Sequence, residues 1–179
     1  MERVCIMAAV SPEELVALLD KSSAFKDWRK QHGEAFLSHF FCQLDTNGGF
    51  KSNWEVGYFH PKNKKISVFV QNVDKNFELK MEDDVFKKET DEVEALRMKD
   101  VKISYDKALA LFKENLAVLF PSEKASEGFV ILQTFNKKTQ WNFTYISTSI
   151  KFLNIKFSAE NGTVDSYQAI DLVDKGKKE

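Results

Sequence analysis

The chain has 179 residues, 43% of them hydrophobic, which suits one compact domain or two small ones and is too apolar for a disordered segment. Its 26 basic and 27 acidic residues leave a net charge of −1, which argues against a phosphate-gripping surface, since nucleic-acid binders normally show a basic excess or stripe. Two cysteines, Cys5 and Cys42, are too few for a disulfide framework and lack C-x-x-C spacing, so both read as reduced, packed thiols.

From the N-terminus, "VCIMAAV" at 4–10 is too short to span a membrane and lacks the basic start and long apolar run of an export signal. The expected setting is therefore cytoplasmic, with no membrane partner. Ser11, Pro12 and Glu14 then form a cap, a first helical position and a capping box. Leu15, Val16, Leu18, Leu19, Phe25 and Trp28 give that helix its apolar residues, and one helix is expected to run to His32–Gly33. "EAFLSHFFCQL" at 34–44 predicts a strand and "DTNGG" at 45–49 a turn.

Trp54, Val56 and Tyr58 alternate on the next strand, "HPKNK" turns the chain, and Ile66, Val68 and Val70 share one face of the return. "NFELKM" at 76–81 predicts a further strand. The charge-dense stretch that follows, from 82 to about 100, reads as a connector with at most a short helical turn. Ser104 caps a second helix whose apolar face is Ala108, Leu109, Phe112, Leu116, Leu119 and Phe120, and Pro121 stops it. Strands follow at 128–135, around Trp141, Phe143 and Tyr145, and around Leu153, Ile155 and Phe157. Asn161-Gly162 then signals a hairpin into 164–173.

The two halves repeat each other. Trp54 and Trp141 stand 87 positions apart, as do Tyr58 and Tyr145, and Ile66, Val68 and Val70 keep that spacing to Leu153, Ile155 and Phe157. The expected fold is α+β, two helix-plus-antiparallel-sheet units in one chain: residues 1–81, a charged connector at 82–103, and 104–179 with a short charged tail. "SPEELVALLDKSSAFKDW" followed by "WEVGYFHPKNKKISVFV", and "SYDKALALFKENL" followed by "WNFTYISTSIKFLNIKF", resemble tandem PepSY-like or cystatin-like αβ units across most of the chain. That resemblance implies a non-catalytic inhibitory or ligand-binding module.

The chemistry-bearing residues do not assemble into a known motif. His32, His39 and His60 show no H-x-x-x-H or H-E-x-x-H spacing, and "EDD" at 82–84 lacks the spaced ligands of a calcium loop, so no metal and no cofactor are expected. No G-x-S-x-G or glycine-rich phosphate loop occurs, which points away from an enzyme. The matched aromatics Trp54, Tyr58, Trp141 and Tyr145 are the candidate binding residues, packed under helices or lining a groove between the halves. The expected partner is a protein, a peptide, an apolar small molecule, or a second copy of the chain in a homodimer. The weighed alternatives are a hot-dog, thioesterase-like hydrolase and a single-stranded nucleic-acid binder stacking bases on phenylalanine.

Overall fold

A computed structural model describes residues 10–84 and 92–172. Cys5, residues 85–91 of the connector and the charged tail from 173 onward lie outside the described residues. Among the described residues the fold is α+β: three α-helices on one face of an eight-stranded, wholly antiparallel sheet.

The first expected helix is two. α1 spans Pro12–Lys21 and α2 spans Ser23–Gln31, with Ser22 extended between them at ψ 144°. Ser22 ends one helix and starts the next with a single hydroxyl, which donates to the Leu19 carbonyl (2.8 Å) and accepts from the Phe25 amide (3.2 Å). A serine competing for backbone groups in this way is the local reason for the break, and the apolar spacing alone does not reveal it. At the other end of α1, Ser11 and Glu14 form the expected capping box. α3, Tyr105–Leu119, starts from Ser104, whose hydroxyl accepts from the Lys107 amide.

The strands are β1 (Phe36–Leu44), β2 (Glu55–His60), β3 (Lys65–Gln71), β4 (Phe77–Asp84), β5 (Ala125–Phe135), β6 (Lys138–Ser147), β7 (Lys151–Ser158) and β8 (Val164–Asp171). Their order across the sheet is β4-β3-β2-β1-β5-β6-β7-β8. Two four-stranded meanders therefore meet at an antiparallel β1·β5 seam, where Phe40 faces Leu132 and Cys42 faces Val130.

Strand alternation sorts residues onto two faces. The helix-covered face carries Phe40, Cys42 and Leu44 of β1, Trp54, Val56 and Tyr58 in and before β2, Val130 and Leu132 of β5, and Trp141, Phe143 and Tyr145 of β6, all buried. On β3 the buried face is Ser67, Phe69 and Gln71, so Ile66, Val68 and Val70 point to the other side. On β7 the buried face is Leu153, Ile155 and Phe157. The spacing of 87 between the two alternating triplets thus joins residues on opposite faces, and face-matched residues such as Phe69 and Ile155 stand 86 apart. The cause is turn length: Pro61–Lys64 joins β2 to β3, whereas Thr148–Ile150, one residue shorter, joins β6 to β7. A one-residue change moves a whole strand's side chains to the other face in the alignment.

The described part of the connector, from residue 92, is held to the sheet. Leu96 is buried and its amide donates to the Leu37 carbonyl, a short 3-10 turn occupies Met98–Asp100, and the Lys102 and Ile103 amides both donate to the Ala159 carbonyl. This path carries the chain across to the start of α3, beside the start of α1.

Candidate functional site

A cavity of about 200 Å³ is lined by the starts of both α1 and α3. Its floor is Trp54 from one meander and Trp141 from the other, with ring centroids 6.3 Å apart. Phe50 and Tyr105 complete an aromatic wall: Phe50 sits 5.4 Å from Trp54 and 4.7 Å from Tyr105, and Tyr105 lies 6.0 Å from Trp141. Met98, Val101 and Ile103 of the connector supply the aliphatic side. Glu13, Lys102 and Asp106 are the charged residues at its border.

Polar atoms around this wall are mostly committed. The Trp141 indole N–H donates to the Ile103 carbonyl (2.9 Å), fixing the ring against the connector. The Tyr105 hydroxyl donates to the Gly48 carbonyl (2.7 Å), and burial holds its pKa far above the usual tyrosine value. Gly48 has φ +83°, a conformation that favours glycine, and a Cβ there would lie 2.4 Å from the Leu109 side chain and displace it. Tyrosines of the second half thus pin the β1–β2 loop from two sides, because the Tyr145 hydroxyl donates to the Asp45 carbonyl (3.0 Å).

The four aromatics singled out in the sequence separate into two pairs. Trp54 and Trp141 meet at the cavity. Tyr58 lies beneath α2 against Phe25, Trp28 and Phe69, with the Arg29 guanidinium over its ring. Tyr145 lies beneath α3, stacked on Phe112 with centroids 5.0 Å apart, and burial first of all pushes its pKa up to about 12. Neither tyrosine lines the cavity. Phe50, Met98 and Tyr105 do, and sequence reasoning did not single them out. Tyr105 reads as an ordinary first helical residue after the Ser104 cap; only the topology shows which seam it faces.

The histidines are placed by packing. His60 is the buried last residue of β2, not part of the turn, and its Nε2 lies 2.7 Å from the Ser67 hydroxyl. His32, capping α2, meets it edge to face at 4.9 Å, beside Trp28. His39 and Cys42 face opposite sides of β1. His39 lies on the helix-free face, where its ring fills the space above Gly57: a Cβ on Gly57 would come 2.1 Å from His39 Cε1. Removal from water pushes the His39 pKa down to about 4. Cys42 is a buried free thiol whose pKa burial raises, the opposite of what a nucleophile needs.

The helix-free face is also partly apolar. Phe41 meets Phe129 at 5.6 Å, and both border a depression of about 270 Å³ with Ile146 and Phe152. Among the described residues, no helix is long and apolar enough to cross a membrane.

By architecture the chain is an α+β protein with helices on one side of a single antiparallel sheet. No protein-family model matches it, and no curated protein matches it. Among solved structures it is similar to a "putative lipoprotein" of Clostridium difficile 630, with TM-score 0.48 and 11% identity over 82% of this chain and 90% of that one. A likeness this distant bears on neither ligand nor location.

Proposed function

We propose that the chain is a non-catalytic binding module that takes an apolar group, from a small molecule, a peptide or a protein partner, into the cavity floored by Trp54 and Trp141. The observation that carries this reading is the meeting of one tryptophan from each half, 6.3 Å apart, at an open cavity of about 200 Å³. Apolar walls with a few bordering charges are the usual make-up of a ligand pocket. Those charges, Glu13, Asp106 and Lys102, do not favour a phosphate. A cytoplasmic setting and two reduced thiols go with this reading.

The reading also takes the halves as two copies of one cystatin- or PepSY-like unit. What supports it is correspondence in detail. Each half runs from a serine-capped helical start into a four-stranded meander of the same order. In each half the first and second strands pair through an irregularity, as do the third and fourth, while the second and third pair without one. β4 and β8 begin and end 87 positions apart. The cavity then lies where the two copies abut, a common place for ligands.

Titration of the ¹⁵N-labelled full chain with indole, cyclohexanol and decanoate tests this. The expected outcome is saturable movement of the Trp54 and Trp141 indole N–H signals and of amides in Val101–Asp106, with Trp28, under α2, unmoved. Linear drift of all three indoles, or no movement, would sink the proposal.

A further inference from the structure

We propose that β8 is a self-association edge, on which a second copy of the chain adds its own β8 antiparallel, joining two eight-stranded sheets into one. This rests on the edge strand and not on the seam cavity. The sheet has two edges, and they differ. β4 reads "FELKMEDD", in which five of eight residues are charged, a composition that disfavours pairing at an edge. β8 reads "VDSYQAID", with no lysine, arginine or proline. Val164, Tyr167 and Ile170 on it are 38%, 55% and 40% exposed.

The two acids of β8 are turned back toward its own sheet. Asp165 accepts from the Gln140 amide (2.8 Å) and lies 3.4 Å from the Lys138 ammonium, and Asp171 lies 3.9 Å from Lys151. Pairing centred on Tyr167 opposes Tyr167 to its copy, Ser166 to Gln168 and Asp165 to Ala169, so no like charges meet across the ladder. A second copy brings a strand already ordered and matched in length. A free peptide must instead be fixed at about 1–2 kcal/mol per residue. Pairing of β8 with β8 is isologous and closes at two chains, and the charged β4 edges stop the sheet from extending further.

Sedimentation equilibrium of the full chain over a concentration series is the test. Twice the chain mass is expected for the wild type and for Leu79→Lys on β4, and the single-chain mass for Tyr167→Lys combined with Ile170→Lys. A wild type monomeric throughout, as a foreign strand for an occupant would leave it, or a dimer that survives both lysines, overturns the proposal. Tyr167→Cys gives a reading free of any folding defect in the lysine variant. Directly opposed residues in an antiparallel ladder have Cα atoms about 4.5–5.5 Å apart, within disulfide reach. Oxidation should therefore yield a covalent dimer absent from the wild type treated in parallel, and failure to cross-link overturns the proposal.

Discussion

Trp141→Ala lowers the unfolding free energy by about 3–5 kcal/mol, the range for truncating a large buried aromatic. Trp141 is fully buried and is shared by three structures at once: the β6 face, the α3 start through Tyr105, and the first half through Trp54. Its indole N–H also satisfies the Ile103 carbonyl, so truncation leaves that acceptor without its partner. Trp141→Phe separates the two contributions: it keeps most of the ring, loses the hydrogen bond, and is expected to cost about 1–2 kcal/mol. Urea unfolding followed by far-ultraviolet circular dichroism measures both. A loss under about 1 kcal/mol for the alanine variant would mean that the ring is not the keystone of the seam described here.

Lowering the pH from neutrality to 4 removes about 3 kcal/mol of stability through His39 alone, one pH unit of pKa shift being worth about 1.4 kcal/mol. The ring is packed over Gly57 on the helix-free face, and loss of hydration lowers its pKa from 6.5 to about 4, only partly offset by the charge of Glu55. The sign follows from linkage. Between pH 6.5 and 4 the unfolded chain binds a proton at His39 that the folded chain refuses, so stability is full above the unfolded pKa and falls as the pH drops toward the folded one. Glu123, held near pKa 2 first of all by its hydrogen bond to Lys151, loses its contribution only below its unfolded value of 4.5, so it adds nothing to the upper part of the window. The measurement is the difference in unfolding free energy between wild type and His39→Gln at steps from pH 7 to 4.5. The gap should change steadily in favour of the variant as the pH falls, and parallel curves would contradict the account.

Legibility in the sequence divided along the range of the interactions. Strands and turns were readable because alternation and turn chemistry are local: Asn161-Gly162 leads into β8, with Gly162 at φ +78°. The division of α1 from α2 was not read, because Ser22 is one of several serines in a helical pattern and its competing hydrogen bonds depend on which carbonyl it finds. The face of β3 was legible as alternation but not as inside or outside. Ile66, Val68 and Val70 are the more apolar set, yet Ser67, Phe69 and Gln71 lie under the helices, where Ser67 partners His60. For the site, the matched tryptophans were visible from spacing, whereas Phe50, Met98 and Tyr105 join them only through the β1·β5 seam, which no local pattern encodes.

The proposal that the seam is a binding site is tested most directly by the emission of its two tryptophans. The chain has three, so Trp28→Phe leaves only Trp54 and Trp141 to report. Titrating that variant with 1-bromodecane dispersed in mild detergent, against the same detergent alone, reads whether an apolar molecule comes to rest in the cavity against the two rings. Quenching that saturates and that indole competes away is the expected result. Weak quenching that rises linearly with bromodecane, unaffected by indole, would show the cavity to be ordinary packing space and would contradict it.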